Sequence, residues 1–506
     1  MSGFEVPTPI LNRPFDEPDR HWHLEPGEPP EVRPGRRPAG YYYRDPRRGV
    51  QDGSGSRGVW KEMALANLIR DRVREWRAAE RPGITRTTAE LVDWWHREGR
   101  HPRLFFAQLE AVETVIFLTE ARSDFLQGIE LPLDPPSADR IAEGYTGFRR
   151  KCAKMATGTG KSTVAAMLAA WSILNKVADR GDARFSDTVL IVAPNVTIRS
   201  RLGELDPATG AASIYRTRDL VPEAMMPDLA KGRMVITNWH VFEPQSPGGG
   251  ARVEKRGVPR TTTEWIIIGG KRTTMRGNRY YTPEAYAAAV AAGELEVIRD
   301  ELDSTGAVTR ALVRATRYVE SDTALVERVL GRAGGKQNIL VINDEAHHAY
   351  RIPAEAAEED QDDFDFEEEE EEEEEADRKE ATVWVEGLDR IHKVRGINMC
   401  VDLSATPYFL SRMGGVTNTV FPWVVSDFGL TDAIEAGLVK VPQLVAADDT
   451  GRPMPAYFNI WEWIKPKLTA AERGTTRGSP KPEAILKWAH TPVVILGGMW
   501  SKDLRR

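Results

Sequence analysis

Lys154-Met-Ala-Thr-Gly-Thr-Gly-Lys-Ser-Thr163 is the stretch of this chain whose spacing carries a definite chemistry. Ala156 to Ser162 fits the relaxed phosphate-loop pattern: Ala156 stands where the first glycine usually does, followed by Thr157, Gly158, Thr159, Gly160, Lys161 and Ser162. Gly158 and Gly160 let the backbone bend until successive N–H groups converge on phosphate oxygens. In such a loop Lys161 reaches the β- and γ-phosphates, and Ser162 places a hydroxyl on Mg²⁺. Thr163 to Asn175 (TVAAMLAAWSILN) then reads as an apolar helix. Its positive end adjoins the loop, which favours bound phosphate.

Working outward, the flanking segments read as buried strands that deliver polar residues to one edge. Thr188-Val-Leu-Ile-Val-Ala-Pro-Asn195 is a β-branched apolar run ending in a Pro-Asn turn. Met234-Val-Ile-Thr237 is a second such run, followed by Asn238, Trp239 and His240. Ile339-Leu-Val-Ile342 leads into Asn343-Asp344-Glu345-Ala346-His347-His348. An apolar strand ending in Asp-Glu puts two carboxylates at the carboxyl edge of a parallel sheet, where α/β folds bind ligands. There Asp344 can hold Mg²⁺, and Glu345 can orient and deprotonate an attacking water. The histidines match no zinc spacing. A last core strand, Met399-Cys-Val-Asp-Leu403, runs into Ser404-Ala405-Thr406-Pro407. Upstream, Gln108 lies 53 residues before Lys161. Its amide can donate to and accept from an adenine edge.

Composition bounds the remainder. A chain of 506 residues has room for about two to four domains. Its two cysteines, Cys152 and Cys400, form no metal or disulfide spacing, which points to a reducing compartment. No leader-like apolar region and no run of roughly 18 apolar residues occurs, so a cytoplasmic protein with no membrane partner is expected. The net charge of −8 hides an asymmetry. Residues 355–380 hold 18 acidic residues against Arg378 and Lys379, a local −16, which leaves +8 elsewhere. The nine glutamates Glu367 to Glu375 repel one another, and residues 355–380 are expected to be a disordered acidic tract.

Residues 1–58 carry ten of the 33 prolines and read as an extended arm. Residues 59–99 look helical, with Leu65, Leu68, Ile69, Val73 and Trp76 and then Leu91, Trp94 and Trp95 at helical spacing. A further helix starts at Leu104. Residues 245–336 break the strand-helix rhythm and read as an insertion. It contains a basic, β-rich patch (Lys255, Arg256, Arg260, Lys271, Arg272, Arg276, Arg279, with Tyr280 and Tyr281) and a helical stretch from Pro283 to about Leu302. Such a patch suits a nucleic-acid backbone or a solvated face.

In this order, Gln108, Ala156–Ser162, Ala193-Pro-Asn195, Thr237-Asn238, Asp344–His347 and Ser404–Thr406 resemble the motifs of superfamily 2 helicases of the DEAD/DEAH-box kind. Several stretches are also similar to the motor (Res) subunit of type III restriction enzymes. They are Arg36-Arg-Pro-Ala-Gly-Tyr-Tyr-Tyr43, Arg103-Leu-Phe-Phe-Ala-Gln108, Asn343–His348, Phe421-Pro-Trp-Val-Val-Ser-Asp427 and Asp432-Ala-Ile-Glu-Ala-Gly-Leu-Val-Lys440. The likeness covers residues from about 10 to 465, the acidic tract excepted. It implies a RecA-like P-loop domain, a parallel sheet with helices on both faces, that binds ATP and Mg²⁺ and drives translocation on double-stranded DNA. By the resemblance Gln108 reads adenine, and His347 with Ser404, Ala405 and Thr406 couples nucleotide state to movement. Asn195, Thr237 and Asn238 lie where the family grips DNA.

The chain also departs from that family. It contains no Gln-x-x-Gly-Arg and no Glu-x-Lys, so neither the family's cleft arginine nor its nuclease signature is found. The closing Gly497–Arg506 matches no recognisable element. The expected organisation is an arm (1–58), the first part of the ATP-binding domain (59–244), an insertion (245–336), the rest of the domain (337–445), and a linker with a truncated start of a second motor domain (446–506). A modification methyltransferase or a separately encoded C-terminal half would be the protein partner. Two other functions fit the same residues: an ATP- and DNA-binding fragment without turnover, and a superfamily 2 helicase of DNA repair.

Overall fold

The computed structural model describes residues 8–24, 29–43, 59–195, 202–243, 258–269, 280–293, 295–303, 306–351, 368–409, 419–441 and 482–499, with isolated positions between them. Two compact units divide the chain, Met1–Val439 and Lys440–Arg506. The proline-rich start of the first unit forms two antiparallel ribbons, β1 (Arg20–His23) with β2 (Glu31–Pro34) and β3 (Gly40–Tyr43) with β4 (Val59–Glu62). This arm is fastened within its own unit. Leu11 and Asn12 donate their N–H groups to the Glu435 carbonyl at 2.8 and 2.9 Å.

Helix α1 (Ala64–Ala78) buries Ile69, Val73 and Trp76, the spacing that the sequence pattern required. Helix α2 (Arg86–His96) begins where the Thr85 side chain accepts from Thr88 N, a cap that satisfies a free helix donor. Helix α3 (Phe106–Glu120) is buried nearly all round. After the short β5 (Leu133–Asp134) comes β6 (Phe148–Met155), then helix α4 (Lys161–Ala178), β7 (Thr188–Ala193) and β8 (Arg233–Asn238).

The segment expected as an insertion makes a sheet of its own. It holds β9 (Val258–Ile268), β10 (Tyr280–Tyr281), helix α5 (Pro283–Ala291), β11 (Leu295–Leu302) and β12 (Val308–Val319), in strand order β10-β9-β12-β11. The helix expected through Leu302 is thus corrected. Gly293, at φ 73°, follows the end of α5, and Leu295–Leu302 pairs antiparallel with β12 instead. Lys255, Arg256, Lys271, Arg272, Arg276 and Arg279 of the basic patch lie outside the described residues.

Helix α6 (Asp322–Leu330), β13 (Ile339–Asp344), helix α7 (Glu368–Arg395), β14 (Ile397–Ser404), β15 (Val424–Phe428) and helix α8 (Leu430–Glu435) complete the first unit. The acidic tract is a second correction. From Glu368 onward it forms the first turns of α7, while residues 352–367 lie outside the described residues. The helix is anchored at its other end, where Ala381, Trp384, Val385, Leu388 and Ile391 are buried. Glutamate is a good helix former, and acidic residues at an N-terminal end suit the helix dipole. Together these offset the repulsion.

The central sheet runs β15-β6-β14-β13-β7-β8 with every pair along this path parallel, and β5 adds antiparallel to β6. Alternate strand residues feed two cores. Val189, Ile191, Leu340, Ile342 and Val401 pack with α1 to α4, while Leu190, Val192, Val341 and Cys400 pack with α6 and α7. The first unit is therefore an α/β fold with a mostly parallel sheet flanked by helices. Both cysteines are free and buried. In the second unit, helix α9 (Pro482–Met499) packs Ala484, Ile485 and Trp488 with Ile464 and Leu468, so Gly497 to Met499 belong to a helix after all. Among the described residues no helix is long and apolar enough to cross a membrane.

Candidate functional site

Because the central strands are parallel, β6, β13 and β14 end side by side. Lys154 pairs in register with Ser404, and Leu403 with Asp344. The glycine loop begins at this edge. Ala156 N donates to Phe428 O at 3.0 Å, and the Thr159 hydroxyl donates to Ala156 O at 2.6 Å, which folds the loop onto its own strand. Gly158 (φ 89°) and Gly160 (φ 94°) take left-handed conformations that other residues resist. At Gly160 space is a second reason: a Cβ there would run into the Gln108 side-chain amide. Thr157 and Gly158 are exposed, so the loop opens to solvent at the positive end of α4.

Gln108 sits against this loop with its orientation set. Its Oε1 accepts from Phe105 N at 2.9 Å, and the residue is buried. Lys161 Nζ lies 2.6 Å from Glu345 Oε1, an ion pair between residues 184 positions apart. The approach lacks hydrogen-bond alignment, so Lys161 Nζ is buried without a hydrogen-bond partner. Glu345 has φ 51°, an uncommon conformation for a residue with a side chain, and one that turns it back from the strand end. Asp344 is partly buried at the tip of β13.

His347 joins the Asp-Glu segment to the next strand. Its Nδ1 shares a hydrogen bond with Ser404 Oγ at 2.9 Å, and Ser404 Oγ also accepts from Thr406 N at 3.1 Å. Burial, with the neighbouring His348 and Lys161, pushes the imidazole down to about 4, against a weaker opposing pull from Glu345. The folded protein thus holds a neutral ring that the unfolded chain protonates below its ordinary value near 6.5. The stability this contributes is present above about pH 6.5 and is lost as pH falls toward 4. We expect the difference in unfolding free energy between wild type and His347→Gln to shift by about 2–3 kcal/mol across that window. Urea melts at pH 7 and pH 4 measure it, and parallel pH curves would show that the ring is not sealed from water.

The residues expected to meet DNA divide in two. Asn195 is exposed, and its Oδ1 accepts from Ile198 N at 2.9 Å, a turn-capping role. Thr237 and Asn238 end β8 and are buried, with Ala193 and Asn238 in register. All three therefore stand at the carboxyl edge. Ala405, like Thr406, follows directly on β14.

Beneath the site lies a buried polar network that sequence reading did not single out. Arg150, fully buried on β6, donates to Asp402 Oδ2 (2.8 Å), Asp134 Oδ2 (3.2 Å) and the Ala349 carbonyl (2.7 Å). Asp402 Oδ1 accepts from Asn343 Nδ2 at 2.8 Å, and Asn343 Oδ1 accepts from Trp384 Nε1 at 3.1 Å. From the arm, Arg36 forms a two-pronged pair with Glu110 and donates to Asp427 O at 2.9 Å. Cations inside a strand are the one signal: β6 (FRRKCAKM) carries four of them.

The fold and site define an α/β protein with a glycine loop, Asp344-Glu345 and Ser404 gathered on the carboxyl edge of one sheet. Comparison with protein-family models, with curated proteins and with solved structures finds no match.

Proposed function

We propose that the first unit is a RecA-like P-loop domain of the superfamily 2 helicase type, the ATP-driven motor of a DNA translocase akin to those of type III restriction systems. One observation supports this above others. The glycine loop and the Asp-Glu segment, far apart in sequence, meet through the Lys161–Glu345 ion pair under Gln108.

The residues fit a nucleoside triphosphate. The positive end of α4 and two left-handed glycines form a cradle for anionic oxygen, and Lys161 Nζ is a buried donor with unused hydrogens. Ser162 and Asp344 supply hard oxygen ligands suited to Mg²⁺. The bound metal would neutralise charge on the phosphates. Gln108 presents an amide at the adenine end. Phosphate oxygens compete with Glu345 for Lys161, which releases Glu345 to take a proton from water. DNA as the track is supported by the +8 balance outside residues 355–380 and by Asn195 on the exposed edge.

Titration calorimetry with Mg-ATP tests the reading. The wild type should bind, and Lys161→Ala should bind about 10- to 100-fold more weakly, the worth of a charge-assisted hydrogen bond. Equal affinity in the two proteins would remove the phosphate-loop assignment.

A further inference from the structure

The opposite edge of the same sheet holds a second polar site that the nucleotide chemistry does not use. A shallow, solvent-open pocket of about 360 Å³ is lined by Lys151, Thr119, Arg184, Asn338, Asn398 and a few apolar side chains. Asn338 directly precedes β13, Asn398 is the second residue of β14, and Arg184 lies just before β7. The cavity is therefore built at the amino ends of strands whose carboxyl ends carry the glycine-loop site.

Lys151 is its central group. It is only 9% exposed, and its Nζ donates to Thr119 Oγ1 at 2.8 Å. Thr119 spends its own hydrogen on the Val115 carbonyl at 2.7 Å, so its oxygen is fixed as the acceptor that aims Lys151. An ammonium has three hydrogens, and one is committed here. Among the described residues no carboxylate lies within ion-pair distance of Lys151, and no acid is among those lining the cavity. Arg184 is already held by Asp182 at 2.6 Å. Asn398 Nδ2 donates to Ala183 O at 2.9 Å, which leaves its second amide hydrogen. Burial, with help from Arg149, pushes the Lys151 ammonium down to about 8, as befits a cation stripped of water and given no counter-charge.

Buried cations are normally paired, because an isolated one costs several kcal/mol in real proteins. A cavity of this size is at the small end of ligand sites. We propose that it binds a small phosphate-type oxyanion, with Lys151 as counter-charge and Arg184 and Asn398 as donors at the rim. The proposal goes beyond the nucleotide reading and does not depend on it.

The probe is inorganic phosphate, titrated calorimetrically into the full chain near neutral pH. Lys161→Ala serves as the background, since it weakens the glycine loop as a competing phosphate site. Saturable binding should persist in that background. Adding Lys151→Met should weaken it about tenfold or more, with no fall in thermal stability because an unpaired buried charge is removed. Asn398→Asp puts a carboxylate into the cavity and should weaken it similarly; it decides the matter alone if Lys151→Met does not fold. Loss of phosphate binding in Lys161→Ala itself, or binding unmoved by both further changes, would overturn the proposal.

Discussion

Purified residues 1–506, given Mg-ATP and duplex DNA, should bind the nucleotide and release phosphate hardly at all. In the proposed reading Gly158, Gly160, Lys161 and Ser162 would hold a triphosphate from one domain, with Gln108 toward the base. Turnover asks for more. Charge that develops on the γ-phosphoryl group is met in related phosphoryl-transfer systems by an arginine worth about 10³–10⁵ in rate. The resemblance supplies that arginine from Gln-x-x-Gly-Arg, and no such motif occurs in these residues. The arginines after Pro407 (Arg412, Arg452, Arg473, Arg477, Arg505, Arg506) stand in no matching motif. A phosphate-release assay with Glu345→Gln as the blank measures the result. Brisk DNA-stimulated release that vanishes in Glu345→Gln would sink the prediction.

The second large effect concerns stability. Arg150→Ala should cost about 3–5 kcal/mol, the penalty for leaving a buried charge without its partner. Arg150 and Asp402 are both fully buried, and the guanidinium stacks 4.7 Å above the Trp423 ring. Asp134 would keep Arg351, 2.8 Å away, but Asp402 would be left with the neutral donors Asn343, Trp423 and the Cys400 thiol. Arg150→Met combined with Asp402→Asn removes both charges and should cost less than Arg150→Ala alone. Urea unfolding of the three proteins gives the comparison. A loss below about 1 kcal/mol for Arg150→Ala would mean that water reaches the pair. The site should suffer too, since Arg150 also holds the Ala349 carbonyl two residues after His347.

Much of the sheet and the glycine loop could be read directly. Thr188–Ala193, Arg233–Asn238, Ile339–Asp344 and Ile397–Ser404 announce themselves as apolar runs, and glycines at Gly158 and Gly160 signal a turn whatever surrounds them. These are local properties of period and backbone freedom, and a chain states them within ten residues. Other elements hid for equally physical reasons. The strand that feeds the loop carries Arg149, Arg150, Lys151 and Lys154, so its composition argues against a buried strand until Asp402 and Asp427 are found beside it. The glutamates from Glu368 look unfoldable alone, and they become helical because Trp384 and Leu388 anchor the same helix in a core. Pairings such as Lys161 with Glu345, Gln108 with Gly160 and Arg36 with Glu110 belong to the tertiary structure alone. Sequence separation adds little to the cost of closing such contacts, so nothing along the chain marks which distant residue will be the partner. The sequence by itself determined which chemistry could be assembled; the parallel sheet, by ending its strands on one edge, decided which groups meet.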